Sequence, residues 1–167
     1  MSILITGVSG FIGSHLIKSL KRNNVSVLGI SRRSGIDVDH VVNNYEDVKD
    51  FDNKNNILVH LAGSNLNLNK SNNEDFIATK NLSSAFKNRM IFASSASVYG
   101  ENVKNMATEY SETIPKTEYS KNKILCEKEV LNVNGTVLRL SNVYGKGMSK
   151  KSVFYDIVSQ IRANKLK

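Results

Sequence analysis

The 167-residue sequence predicts an α/β protein built on a doubly wound parallel sheet with helices on both faces. Three observations carry that expectation. Short apolar strand patterns alternate with longer amphipathic helix patterns along the chain. The first strand runs straight into a turn with glycine at every third position, Gly7, Gly10 and Gly13, and a helix pattern starts there. No internal repeat and no linker composition interrupts the alternation, so residues 1–167 read as one domain.

The elements follow in order. Ile3-Leu4-Ile5 marks a strand at 2–6, and Ile12, Leu16 and Leu20 at helical spacing mark a helix at 11–23. Apolar runs predict strands at 25–30 and 39–43, with a short helical turn after Tyr45. Ile57-Leu58-Val59 predicts a strand at 57–61. The Ser- and Asn-rich stretch 63–73 reads as a loop and 72–87 as a helix. Met90-Ile91-Phe92-Ala93 gives a strand at 90–94. Residues 100–117, with the single proline Pro115, read as a loop. A helix at 118–133, a strand at 136–140 and a helix at 152–164 complete the pattern. Right-handed crossovers between such strands put a ligand crevice at their carboxyl ends.

Composition narrows the function classes. No apolar run approaches the roughly 20 residues of a membrane span. The chain starts a strand almost at once, which predicts no signal peptide and no membrane. One cysteine, Cys126, cannot form an internal disulfide, which suits a reducing cytoplasm; helix packing is its expected role. The net charge is +8, but the basic residues are scattered, with small clusters at Lys21-Arg22, Arg32-Arg33 and Lys150-Lys151. There is no aromatic-interleaved basic stripe and no zinc-finger spacing, so most of this charge reads as solvated surface and no nucleic acid is expected. His15, His40 and His60 form no ligand cluster, and no metal is assigned.

The glycine turn predicts dinucleotide binding. Gly7 permits a tight turn, Gly10 lets the backbone approach a pyrophosphate, and Gly13 lets the helix pack closely on the sheet. Phe11 and Ile12, between the last two glycines, are counted with them as cofactor-binding. The helix start offers unpaired N–H groups and a partial positive charge to the pyrophosphate.

A second candidate site lies further on. Tyr119 and Lys123 stand four apart on one helix face. A tyrosine with a pKa of about 10 is a poor acid–base group near neutrality, and a nearby ammonium is expected to lower that value. Ser94-Ser95 closes the fifth strand at the crevice edge, where a hydroxyl can orient a carbonyl or donate to a developing oxyanion. Each feature has a plainer reading, as turn-forming serines or an exposed helix pair.

Together these segments resemble the extended short-chain dehydrogenase/reductase superfamily, in its nucleotide-sugar epimerase/dehydratase branch, whose core is a Rossmann-like fold. The resemblance rests on Thr6 to Gly13, His60-Leu61-Ala62-Gly63, Ser94 to Gly100, Tyr119-x-x-x-Lys123 and Arg139-Leu140-Ser141-Asn142-Val143-Tyr144-Gly145, in that order. It implies Ser95 as the catalytic hydroxyl and Tyr119 as the acid/base. It implies Lys123 as the group that both lowers the tyrosine pKa and holds the nicotinamide ribose. Leu61, Ala62 and Gly63 would line the cofactor. Ser95 and Asn142 would face a nucleotide-sugar substrate. His60 and Arg139 read instead as structural, through a hydrogen bond and an ion pair, and Tyr99 as packing near the substrate loop.

Departures from the family pattern refine this. Strand two ends Ile30-Ser31-Arg32-Arg33, where an NAD-preferring chain carries an acidic residue. Ser31 with Arg32 and Arg33 therefore predicts NADP over NAD. The 4,6-dehydratases of the branch carry an Asp-Glu pair where this chain has Ala96 and Ser97, which argues for a 4-epimerase or 4-ketoreductase. Asp75 stands where the family often has Asn, and Lys146 where Pro is common. Family members continue well beyond the position of Lys167, so the resemblance implies a chain lacking most of the substrate domain, prone to form a homo-oligomer. The alternative function is a catalytically silent dinucleotide-binding module.

Overall fold

The structure, a computed structural model, describes residues 1–63, 71–100, 106–150 and 152–163. Among the described residues six parallel strands form one sheet: β1 (Ile3–Thr6), β2 (Val27–Ser31), β3 (His40–Val41), β4 (Ile57–His60), β5 (Met90–Ser95) and β6 (Thr136–Leu140). Their spatial order is β3-β2-β1-β4-β5-β6. Every pairing is parallel, with Thr6 opposite both Ile30 and His60, and Phe92 opposite His60. The strand order reverses between β1 and β4, which opens a crevice at the carboxyl ends of those strands.

Among the described residues four α-helices connect or follow the strands: α1 (Phe11–Arg22), α2 (Ser71–Ala85), α3 (Glu118–Leu131) and α4 (Val153–Arg162). The turn expected after Tyr45 is a 3₁₀ helix over Tyr45–Phe51, whose start Asn44 and Asp47 close with a capping box. A second 3₁₀ helix, Ala96–Tyr99, lies at the start of what the sequence reading left as connection. Expected ends and observed ends differ by at most two residues, and β3 pairs over two residues only. It is the sheet edge, held from one side by β2, so little of its apolar run is needed for pairing. Much of the expected 63–73 loop, and residues 101–105 of the 100–117 loop, fall outside the described residues.

Alternating strand residues feed two core layers. Leu4, Ile30, Leu58, Met90 and Phe92 pack with Leu82 of α2, Phe86 just beyond it, and Cys126 and Val130 of α3. Ile5 packs on the other face with Val8 and Ile17 of the turn and α1. Cys126 is thus a helix-packing residue, as expected.

The buried line of α1 differs from the expected Ile12-Leu16-Leu20 stripe. Gly13 and Ile17 are buried, Leu16 and Leu20 flank them, and Ile12 is exposed. Gly13 explains the rotation: a Cβ there would lie 2.3 Å from the Gly7 carbonyl oxygen, so only a residue without one lets α1 sit this close to the turn.

Among the described residues no helix is long and apolar enough to cross a membrane. No cluster of three His, Cys, Asp or Glu suited to a metal ion forms among them either.

Candidate functional site

The glycine turn links β1 to α1 at the crevice. Gly7 has φ +75°, and a Cβ on it would come within 2.9 Å of the Ala62 nitrogen. The turn and the segment leaving β4 are therefore pressed together, and Thr6 pins them. Thr6 Oγ1 accepts from the Leu61 and Ala62 N–H groups, each at 3.2 Å, and lies 2.8 Å from His60 Nδ1. With both lone pairs of the hydroxyl engaged, its proton must go to His60 Nδ1, so the imidazole is neutral with its own proton on Nε2. Burial, aided by the charge of Lys123, lowers the His60 pKa to about 3. His60 has the structural hydrogen-bonding role expected of it.

At the start of α1, Gly10 occupies the capping position, no side chain caps the helix, and no acidic residue stands in its first turn. A Cβ at Gly10 would touch only the Gly7 oxygen, at 3.1 Å. The helix start is thus open, uncapped and free of negative charge, which fits a pyrophosphate.

This turn forms one wall of a cleft of about 470 Å³. Gly7, Gly10, Phe11, Ile12 and Gly13 line it together with Leu61, Gly63, Ser95, Tyr119, Lys123 and Asn142. Eleven candidate residues from five separate segments thus meet in one place. The facing wall is the segment after β6, with Val143 of the last motif and with Met148, Ser149 and Ser152, which sequence reasoning did not single out. That segment is tied to α1 by His15 Nε2, which donates to the Lys146 carbonyl at 2.8 Å. A larger concavity, about 790 Å³, runs along the outer edge of β6. It contains none of the candidate residues and is the side of the sheet that no described strand pairs.

Four candidates lie apart from the cleft. Ala62 is buried behind it, its N–H held by Thr6. Ser31 is buried at the end of β2, where its hydroxyl meets Ser9 Oγ at 2.8 Å and accepts the Arg33 N–H at 3.2 Å. Arg32 places its guanidinium 5.0 Å from the Tyr45 ring centroid, and Arg33 is exposed.

Local sequence positions the candidate pair Tyr119 and Lys123. Thr117 and Ser120 form a reciprocal cap that starts α3 one residue before Tyr119. One turn later Lys123 donates to the Ala93 carbonyl at 2.8 Å, 4.6 Å from the Phe92 ring centroid and 5.7 Å from that of Tyr119. Ser95 accepts the Ser97 N–H at 3.2 Å, capping the 96–99 turn, and also hydrogen-bonds Tyr119.

The expected depression of the Tyr119 pKa is not found. Burial raises it, the Ser95 hydrogen bond opposes that, and the Asp75 charge raises it further, so the phenol stays above its ordinary range. The Lys123 ammonium is spent on the Ala93 carbonyl rather than on the phenol oxygen, and burial lowers its own pKa.

Behind this cluster, Glu127 is buried and charge-paired. Ser94 Oγ donates to its Oε1, and Arg139 Nη2 reaches Oε2 at 2.8 Å. Arg139 also donates to Tyr99 Oη at 2.9 Å. Arg139 thus forms the ion pair expected of it, and Tyr99 is held by the same guanidinium. Glu127 was missed, although Tyr119, Lys123 and Glu127 at four-residue steps share one helix face.

Known proteins share both sequence and shape with this chain. It is 30% identical over 188 residues to an ADP-L-glycero-D-manno-heptose-6-epimerase of Cupriavidus pinatubonensis (strain JMP 134 / LMG 1197), covering 96% of this chain and 56% of the relative. Its fold matches a UDP-glucuronic acid 4-epimerase from Bacillus cereus solved with NAD, at TM-score 0.76 and 24% identity over 99% of this chain and 64% of that one. It also matches a dTDP-glucose 4,6-dehydratase from Bacillus anthracis str. Ames solved with NAD, at TM-score 0.79 and 18% identity over 98% of this chain and 62% of that one. The chain therefore spans less than two thirds of the length of each. The family profile matches residues 3–167, from the first strand that leads into the glycine turn to the last residue, and the chain belongs to the NAD dependent epimerase/dehydratase family.

Proposed function

We propose that the cleft serves NAD(P)-dependent epimerisation or reduction at a carbinol carbon of a nucleotide-linked sugar. The observation that carries this is the convergence of Ser95, Tyr119 and Lys123 on the same cleft as the uncapped α1 start. Gly7, Gly10, Phe11, Ile12 and Gly13 hold the dinucleotide, with Leu61 and Gly63 beside it. When bound, that cofactor supplies the hydride chemistry. Tyr119 gives a proton to, or takes one from, the reacting sugar oxygen. Ser95 orients that oxygen while hydrogen-bonded to Tyr119. Lys123 anchors the pair to the Ala93 carbonyl and holds the nicotinamide ribose. Asn142 faces the substrate from the opposite wall.

Water elimination is left out of this reading, because Ala96 and Ser97 offer neither a carboxylic acid nor a carboxylate beside Ser95. NADP is the preferred cofactor. The end of β2 presents Ser31 and two arginines, so a 2′-phosphate meets cationic side chains and no carboxylate at that position.

Calorimetric titration with NAD and NADP at one salt concentration, followed by product analysis with a panel of nucleotide sugars, tests the proposal. Tighter NADP binding and an epimerised or reduced sugar are expected. Equal or tighter NAD binding removes the cofactor assignment. Binding without turnover identifies a dinucleotide-binding module instead.

A further inference from the structure

Gly63 is flanked by two charges from different helices. A Cβ built on it would lie 3.7 Å from Asp75 Oδ2 of α2 and 3.7 Å from Lys123 Nζ of α3. A narrow void beneath, lined by Asp75, Thr79, Tyr119, Lys123 and Cys126, joins the two. The surroundings of Lys123 are otherwise poor for an ammonium: one carbonyl, the Phe92 ring and the Tyr119 ring. Such an environment pushes a lysine toward neutrality unless a counter-charge faces it.

We propose that Asp75 is a positioning residue for the proton-transfer pair, the counter-charge that keeps Lys123 an ammonium and keeps the proton on the Tyr119 phenol. This rests on the reading in which Tyr119 moves the substrate proton. The other groups facing the pair do not replace Asp75. Glu127 and Cys126 approach Lys123 from its own helix, but Glu127 is engaged by Arg139 and Ser94, and burial raises the Cys126 thiol above its ordinary range. Ser95 faces Tyr119 from the end of β5 and is uncharged. His60, behind Lys123, is neutral.

The consequence is directional. A pair held as phenol and ammonium is set to give a proton to a developing alkoxide rather than to take one from a hydroxyl. That suits delivery of hydride to a keto sugar, the reductive half of the proposed chemistry, and assigns Asp75 a part in choosing it.

The test needs neither cofactor nor substrate, so its failure is distinct from failure of the proposed reaction. The full chain is labelled with carbon-13 at lysine Cε and tyrosine Cζ and titrated by NMR. Lys123 and Tyr119 are assigned by signals lost in Lys123→Met and Tyr119→Phe. In Asp75→Asn, removal of the negative charge should move the Lys123 titration down by about half a unit or more, roughly a threefold change in its ionisation constant. Tyr119 should move in the same direction. Asp75→Glu, which keeps the charge, should titrate close to the parent. If Asp75→Asn does not fold, Asp75→Ser carries the same comparison. A Lys123 signal that titrates where the parent's does overturns the proposal, whatever Tyr119 does. An equal shift in the Glu variant also overturns it, because packing and not charge would then be the cause.

Discussion

Thr6 and His60, opposite each other on adjacent parallel strands, are joined by a hydrogen bond of 2.8 Å, and the same hydroxyl accepts the two backbone N–H groups that follow His60. One side chain therefore sets the distance between the glycine turn and the wall of the cleft. Thr6→Val keeps the shape and removes the hydroxyl, leaving buried donors and an acceptor without it. Denaturant unfolding should show a loss of about 2 kcal/mol or more, with weaker dinucleotide binding in what remains folded.

His60 also gives the fold an acid limit. Its pKa is 6.5 in the unfolded chain and about 3 in the folded one. Between those values the unfolded state binds a proton that the folded state refuses. Stability should be full above pH 6.5 and fall as pH drops toward 3, by at most about 1.4 kcal/mol per unit from this group. Unfolding free energies measured from pH 7 to 4 should fall less steeply in His60→Gln than in the parent.

Two glycines of the turn should separate binding from folding. Gly10→Val puts a branched side chain at the uncapped start of α1, where the proposed dinucleotide would lie, yet meets only one backbone oxygen at 3.1 Å. It should fold and lose most dinucleotide affinity by calorimetry. Gly13→Ala drives a methyl to 2.3 Å from the Gly7 oxygen and should cost about 2 kcal/mol or more in thermal or denaturant unfolding.

Arg139 neutralises a carboxylate that is only 3% exposed. Arg139→Leu should destabilise by about 3–5 kcal/mol, because Glu127 is left buried and unpaired. Arg139→Leu combined with Glu127→Leu should recover much of that loss, which denaturant unfolding of both variants would show.

Tyr119→Phe keeps the ring and removes the transferable proton. Wherever turnover of a nucleotide sugar is measured, it should fall by roughly 100-fold or more, with cofactor affinity little changed. Lys123→Met should lower both rate and affinity. Full activity in the phenylalanine variant would place the chemistry elsewhere.

The alternation of short apolar strands and helices was legible because the inner strands β1, β2, β4 and β5 are largely buried and so carry apolar runs. Tyr119, Lys123 and Ser95 were legible because their spacing and strand-end position are local. Ser31 was legible as the residue closing β2, but not as a buried partner of Ser9, 22 residues away. Asp75 and Glu127 look like ordinary solvated helix charges in sequence, and only the packing of α2 and α3 on one face reveals what they meet. The shift of the α1 contact line to Gly13 and Ile17 was hidden for a similar reason, since a glycine carries no apolar signal of its own.

The strand order also orders events in time. Of these six strands β1 leaves a ribosome earliest, and it ends up in the middle of the sheet, with β2 and β3 added outward on one side and β4, β5 and β6 outward on the other. Each strand after the first joins an edge that already exists, so the sheet can grow vectorially without waiting for a later segment to slot between two earlier ones. The three strands of the first half can assemble before β4 leaves the ribosome, and pulsed proteolysis of stalled nascent chains should find protection near Leu28 appearing earlier than protection near Leu58. The glycine turn is finished only when β4 docks, so the ligand crevice is born at the moment the two halves meet.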